Sequence, residues 1–193
     1  MEEADEAVVR VVSFVDVIPV PWRNGAGLTR AVAEGTEPPW RLSIASLSGV
    51  SAFSQFPDHD RTFLIASPGV VTIDVDGVRQ GVGFGQSLAF PGEAHVTATT
   101  SPAGGSAVNL IVARGSATGR LQVLCFDGAR EVSGVGLRAV IVLAGEVRLP
   151  DGSALGPLDA VLVSTGPVRL QGRATVVQVV VTASPLRPRT GAG

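Results

Sequence analysis

The apolar positions of this chain fall in short β-branched runs that turn residues separate. The stretch from Arg61 to Gly77 shows this most clearly, because the runs Thr62–Ala66 and Val70–Val75 are followed by the turn signals Pro68-Gly69 and Asp76-Gly77. An Asp-Gly pair after such a run is typical of a β-hairpin, since Gly adopts positive φ without steric cost. No segment shows helical periodicity over more than about two turns. The pattern therefore predicts an all-β protein.

The segment from 40 to 46 adds a strand with two different faces. Trp40, Leu42 and Ile44 fall on one face of this predicted strand, whereas Arg41 and Ser43 fall on the other. Side chains of a strand point alternately to opposite sides, so the apolar face is expected to be buried. The polar face is therefore a candidate for lining a cavity.

The succession of strands and turns occurs twice along the chain. Arg61, Gly69 and the Asp-Gly pair at 76–77 recur as Arg138, Gly145 and the pair at 151–152, with offsets that fall only from 77 to 75 residues. Segments 87–92 and 108–113 match 160–166 and 177–182 in the same way. We therefore predict two similar small β-barrels or sandwiches that arose by internal duplication.

The best boundary between the two predicted lobes is the short stretch Arg114–Gly119, which is small and polar. We accordingly assign residues 1–114 to an N-terminal lobe and residues 115–193 to a C-terminal lobe. Loops of the first lobe carry Trp, Arg, Asn, His and Asp, whereas Gly152–Thr165 in the second offers only Ser and Asp159 besides turn and apolar residues. A ligand site is therefore expected in the first lobe, and a mainly structural role in the second.

Composition narrows the classes of partner. The net charge is −2 and the isoelectric point is about 5.7, with no basic stripe, which argues against nucleic-acid binding. No apolar run approaches the roughly 20 residues that a membrane helix needs, and the acidic start lacks a signal-peptide core. We expect a cytoplasmic protein that binds neither nucleic acid nor membranes. Its single cysteine, Cys125, lies in an apolar run and is expected to be a buried, inert thiol.

Several segments together resemble the HutD/Ves family. They are PWRNGAGLTR at 21–30, WRLSIASL at 40–47, FSQFPDHDRTFLIASPG at 53–69, FPG at 90–92 and the late Asn109 within an apolar strand. The resemblance implies a bicupin, in which two cupin-like antiparallel β-barrels follow one another in a single chain. It also implies a protein without catalytic activity or cofactor that binds a small acidic metabolite and moderates histidine utilisation.

The polar residues of the first lobe suggest where such a metabolite would bind. The planar guanidinium of an arginine matches a carboxylate, and ligand sites in barrels lie near the mouth, where a few polar groups converge. The predicted ligand-binding set is Asn24, Thr29, Arg41, Ser43, Arg61 and Asn109. The alternative is structural: Asp58 or Asp60 neutralises Arg61, and Asn109 bonds to the backbone.

Two further hypotheses belong to other classes. A metal-dependent cupin isomerase or oxygenase would use His95, the one histidine near the usual ligand spacing, but a metal needs three or four convergent ligands. We therefore expect no metal site and no catalytic residues. An interaction module is the third hypothesis, in which the apolar strand Thr175–Thr182 lies at a sheet edge and forms a homodimer.

Overall fold

The computed structural model describes residues 8–22, 25 and 27–184. In this part of the chain the regular structure is β-strand, with one short 3-10 turn at Phe14–Asp16. The strands are β1 Val8–Val12, β2 Val20–Pro21, β3 Gly27–Thr36, β4 Pro39–Leu47, β5 Val50–Ala52, β6 His59–Ile65, β7 Val70–Val75, β8 Val78–Gly83, β9 Ser87–Pro91, β10 Val96–Thr99, β11 Gly105–Ala113, β12 Ala117–Val132, β13 Leu137–Arg148, β14 Ala154–Leu155, β15 Ala160–Thr165 and β16 Val168–Ala183. The predicted all-β class is confirmed. No helix in the described part has the length and apolar character needed to cross a membrane.

The strands form three antiparallel sheets. Sheet I has the order β1-β15-β13-β16-β12, with β14 paired to β13, and sheet II has the order β2-β3-β4-β11-β6-β9. Sheet III has the order β5-β10-β7-β8. The order β9-β6-β11-β4 in sheet II matches β15-β13-β16-β12 in sheet I, which agrees with the predicted repeat. The sheets form open sandwiches rather than closed barrels, and a common origin by duplication stays an interpretation.

Three apolar clusters fill the space between and within these sheets. One lies between sheets I and II, and it takes Leu42, Ile44 and Leu64 from sheet II and Ile141 and Val177 from sheet I. The second lies between sheets II and III and forms the interior of the N-terminal half. The third consists of residues of sheet I and its companion strand β14, so this sheet curls around an interior of its own. The candidate site belongs to the second cluster.

The alternation predicted for β4 determines which side chains reach that interior. Leu42 and Ile44 pack between sheets I and II, whereas Ala45 packs into the N-terminal interior. β6 behaves in the same way, because Leu64 faces sheet I and Phe63 faces the N-terminal interior. The middle of sheet II is thus buried on both faces, and its inward residues can include polar ones there only where they find partners.

Some element boundaries differ from those predicted. β1 ends at Val12 and pairs with β15 of the C-terminal half. β12 already begins at Ala117, inside the stretch that we took as the linker. The division of the chain at residue 114 stays a prediction. The first strand of the N-terminal half, β1, nevertheless belongs to sheet I, which the second half otherwise forms.

Two expectations about the second half are wrong. Cys125 is exposed rather than buried, because it lies on β12, an edge strand of sheet I. The segment Thr175–Thr182 belongs to β16, which lies between β13 and β12 and therefore has no free edge. The argument from this segment to a homodimer fails, although the oligomeric state itself stays untested.

Candidate functional site

Arg61 is a charged residue inside the N-terminal interior. It lies on β6, where alternate residues face sheet III, and only 5% of its surface is exposed. Its strand neighbour on the same face is Phe63, which is completely buried. Burying a guanidinium in apolar surroundings is unfavourable unless other groups compensate its charge and satisfy its donors. The position of Arg61 therefore needs an explanation.

Asn109 supplies one hydrogen-bond partner. Its Oδ1 accepts a bond of 2.7 Å from Nε of Arg61, and Asn109 itself is 6% exposed. The register explains this contact, because β11 pairs Ile111 with Arg61 and Asn109 with Phe63. Asn109 is therefore the diagonal neighbour of Arg61 on the same face, which lies within reach of a long side chain. A weaker bond of 3.4 Å runs from Nη1 to the backbone oxygen of Ser54.

Aromatic rings surround the guanidinium on its other sides. Its Cζ lies 4.4 Å from the ring centre of Phe53, 5.9 Å from that of Phe56 and 5.6 Å from that of Phe90. Such contacts attract a cation through the electron-rich faces of the rings. Phe53 in turn packs edge-on against Trp22, with ring centres 5.8 Å apart. Arg61, Asn109, Phe53, Phe56 and Phe90 are called the Arg61 site below.

The loop from 53 to 58 carries two of these rings and is fixed by backbone hydrogen bonds. Phe53 N donates to Val96 O, and Phe56 N donates to Gly92 O at 2.8 Å. Gly92 N donates in return to His59 O. A Cβ at Gly92 would collide with the backbone oxygen of Phe56, so this position tolerates only glycine without movement of the loop. The Arg61 site is therefore held by main-chain contacts rather than by packing alone.

Among the described residues, the charge on Arg61 has no acidic counterpart. Burial lowers the pKa of Arg61 to about 10, which still leaves the side chain charged at neutral pH. In the described part of the chain, no carboxylate lies within 4.0 Å of its guanidinium. The aspartate that precedes it, Asp60, pairs with Arg114 at 2.8 Å instead. The structural alternative, in which Asp58 or Asp60 neutralises Arg61, is therefore wrong.

The other predicted residues lie at different distances from this centre. Ser43 is 1% exposed and is the cross-strand partner of Asn109, so it lies beside the site. Thr29 is one step removed, because its Oγ1 accepts a bond of 2.7 Å from Nε1 of Trp22. Arg41 and Arg61 are the cross-strand partners of Ile111 on its two sides, but the side chain of Arg41 is exposed. Asn24 lies outside the described residues. A ligand-binding role for this set stays a prediction.

His95 is an exposed residue with few potential metal ligands beside it in the described part of the chain. Its side chain is 87% exposed, and its Nδ1 is 3.5 Å from Oδ1 of Asp76. Its other ring nitrogen is 3.5 Å from the side-chain amide of Gln55. Among the described residues, no three His, Cys, Asp or Glu side chains are placed to hold a metal. The described residues thus offer at most two metal ligands at this position, His95 and Asp76, whereas the metal-dependent enzyme would need three or four.

Sequence reasoning overlooked the aromatic part of the site. The predicted ligand-binding set contains no aromatic residue, although Phe53, Phe56 and Phe90 lie in segments that resemble the family. The available signal was their position, since the motif at 53–56 directly precedes the strand of Arg61 and the register pairs Phe90 with Arg61 across β6 and β9. The convergence of three rings on one arginine could be recognised only from the tertiary structure.

The fold and this interior site define a cupin-like protein of two antiparallel halves. Solved structures with little sequence similarity support the fold: YlbA from Escherichia coli has a TM-score of 0.74 at 8% identity over 96% of this chain and 97% of that chain. A cupin 2 conserved barrel domain protein from Leptotrichia buccalis has a TM-score of 0.62 at 11% identity, covering 94% of this chain and all of that one.

The chain belongs to the HutD family, whose model matches residues 15–179. HutD from Pseudomonas fluorescens SBW25 is 27% identical, with a TM-score of 0.75 over 92% of this chain and 100% of that chain. Protein Ves from Cronobacter sakazakii is 33% identical over 72% of this chain and 80% of its own length. Protein Ves from Citrobacter koseri is 35% identical over 46% of this chain, and the match spans half of that protein. The resemblance to HutD/Ves is confirmed.

Proposed function

We propose that this protein binds a small carboxylate at the Arg61 site without catalysing a reaction. The observation that carries the proposal is a buried guanidinium that has no carboxylate within ion-pair distance among the described residues. A bound carboxylate would compensate this charge with charge-assisted hydrogen bonds, which are about twice as strong as neutral ones. Asn109 holds the guanidinium through Nε, and Nη1 makes only a long bond of 3.4 Å to Ser54 O, so the outer nitrogens can donate to an anion.

The aromatic rings of the site suit such a ligand as well. They exclude water, and a less polar surrounding strengthens the attraction between guanidinium and carboxylate. Phe53 lies against Arg61 and also lines a crevice of about 640 Å3 with Gln55, His95 and Asp76. A rearrangement of the Phe53 ring would therefore connect the guanidinium with this crevice. A ligand that enters between the guanidinium and these three rings has to be small.

Membership in the HutD family supports a role in histidine utilisation. We propose that the bound carboxylate is a metabolite whose concentration reports on that pathway, and that its binding moderates the pathway through this protein. The solved HutD from Pseudomonas fluorescens is described in a formate condition. Formate is the smallest carboxylate, so it is a suitable first probe for a compact site.

Titration calorimetry with formate, acetate and succinate tests the proposal. We expect saturable binding of at least one of them to the wild-type protein, and its loss in Arg61→Met. Arg148→Met is the matched control, because Arg148 is exposed in the second half and pairs only with Glu146 among the described residues. Equal binding by wild type and Arg61→Met would contradict the assignment of the site.

A further inference from the structure

A second crevice, of about 450 Å3, lies between sheets I and II and outside the N-terminal interior. Sheet I contributes Arg10, Arg138 and Leu162 to its lining, and sheet II contributes Glu34 and Trp40. Its volume falls within the range of about 300–1,000 Å3 that small-molecule sites occupy. The crevice lies at the margin of the apolar cluster between the sheets, against which Trp40 and Leu162 pack.

A β-bulge turns Arg138 into this crevice. Leu137 packs in the interior of the second half and Ala139 in the cluster between the sheets, and the register with β16 shifts between these two residues. A bulge of this kind adds one residue to a strand and redirects its side chain. Arg138 is the repeat counterpart of Arg61, but Arg61 lies inside its half and Arg138 lines the space between the sheets.

Arg138 also carries an unsatisfied donor. Its Nε is buried and has no hydrogen-bond partner among the described residues. In that same part of the chain, no carboxylate lies within 4.0 Å of its guanidinium. Buried polar groups in native proteins nearly always have a partner, so such an exception indicates strain, an ordered water or a group that binds there. A small rotation of the side chain would present this edge to an anion in the crevice.

Arg10 reinforces the positive charge at this place. β15 pairs Leu162 with Arg10 on one side and with Ala139 on the other, which puts Arg10 on the sheet face that also carries Ala139. Two strand spacings separate β1 from β13, or about 10 Å, and two arginine side chains span that distance easily. Glu34 is the acidic group among the lining residues; it is exposed and makes no ion pair with described residues. The lining side chains carry a net positive charge.

Trp40 gives the crevice a flat apolar wall. Its indole crosses the backbone of Gly35, its partner on β3, so closely that a Cβ at Gly35 would overlap the ring. The ring is therefore fixed in orientation by a residue without a side chain. Leu162 and Ala33 line the crevice nearby. A flat wall beside two arginines matches a ligand that has both an anionic group and a planar ring.

We propose that this crevice is a second binding site, separate from the Arg61 site, for a small aromatic carboxylate. The carboxylate contacts Arg138 and Arg10, and the aromatic ring lies against Trp40. This site does not depend on the function proposed above, because it uses different residues on the opposite face of sheet II.

The two tryptophans of the chain make the two sites separately observable. Trp22 packs against Phe53 of the Arg61 site, and Trp40 lines the crevice. In a Trp22→Phe background, fluorescence reports on Trp40 alone. We expect benzoate to change this fluorescence saturably, and acetate and inorganic phosphate to compete with it at least about tenfold more weakly, since they lack a ring.

Variants in the same background identify the arginines. We expect Arg138→Met to raise the benzoate dissociation constant at least about tenfold, because it removes a charged partner. Arg10→Met, at an exposed position, raises it less and serves if Arg138→Met does not fold. Arg61→Met leaves the titration unchanged, so failure of the Arg61 site does not affect this outcome. An absent response to benzoate, or one that Arg10→Met and Arg138→Met both leave unaltered, overturns the proposal. Phosphate that displaces benzoate at equal concentration overturns the assigned ligand class.

Discussion

Replacing Arg61 and Asn109 together by Met and Leu should leave the ligand-free protein nearly as stable as the wild type. Both positions lie in the N-terminal interior beside Phe63, where apolar side chains of similar volume fit the surroundings. Under the proposed function, Arg61 is retained for a ligand rather than for the fold. The pair of substitutions removes the charge and its hydrogen-bond acceptor at once, so neither group is left unsatisfied.

The magnitude follows from the contacts of Arg61. Burial lowers its pKa to about 10, and the difference from the ordinary arginine value corresponds to about 3 kcal/mol of unfavourable desolvation. The bond to Asn109 contributes about 1.5–3 kcal/mol in the opposite sense, and the aromatic contacts contribute about 0.5–2 kcal/mol. These opposing contributions are similar in size. We therefore expect the free energy of unfolding of the double variant to lie within about 2 kcal/mol of wild type.

Equilibrium unfolding in guanidinium chloride measures this difference. Arg61→Met alone should be less stable than the double variant by about 1–3 kcal/mol, because it leaves the Asn109 oxygen buried without a donor. At a carboxylate concentration of about 100 times the dissociation constant, wild type should gain about 2.7 kcal/mol and the double variant nothing. A loss of more than about 4 kcal/mol in the ligand-free double variant would show that the guanidinium stabilises the fold and is not retained for a ligand.

Three further predictions concern the surroundings of the site. Gly92→Ala should destabilise the protein by about 2–4 kcal/mol in urea unfolding, because the new Cβ displaces the loop from 53 to 58. The same displacement should weaken carboxylate binding, and unchanged binding would show that the loop does not contribute to the site. Phe63→Ala should cost about 3–5 kcal/mol in the same assay, since it leaves a cavity at a fully buried position. Hydrogen bonds from Arg114 lower the pKa of Glu93 to about 2. The stability that this pair contributes is therefore present above the ordinary glutamate pKa and is lost as the pH falls towards about 2. In Arg114→Ala, NMR titration should show the Glu93 pKa back near its ordinary value.

Much of the site could be predicted from the sequence because strand alternation is a local property. The faces of β4 followed directly from its apolar and polar positions, and a late Asn within an apolar strand indicated a buried polar group. Arg61 at the start of a buried strand was conspicuous for the same reason. These inferences required only the two-residue period of a strand and the cost of burying polar groups.

The parts that could not be predicted depend on register and on partners distant in sequence. Asp60 is adjacent to Arg61 in sequence, but neighbours on a strand point to opposite faces, and Asp60 pairs with Arg114. Arg138 has the same place in the repeat as Arg61, yet a single inserted residue in β13 directs it to another face. Cys125 lies in an apolar run, but β12 is an edge strand, so the thiol is exposed.

Under the proposed function the Arg61 guanidinium receives a carboxylate, and the Nε–H resonance of Arg61 reports directly on that contact. This proton is held by Asn109 Oδ1 in a buried place, so it should exchange slowly and give a separate signal that disappears in Arg61→Lys. In a 1H–15N titration with formate, we expect a saturable shift of this signal, while the Nε–H signal of exposed Arg148 does not move. An Arg61 signal that stays in place at every formate, acetate and succinate concentration would show that the guanidinium does not receive a carboxylate.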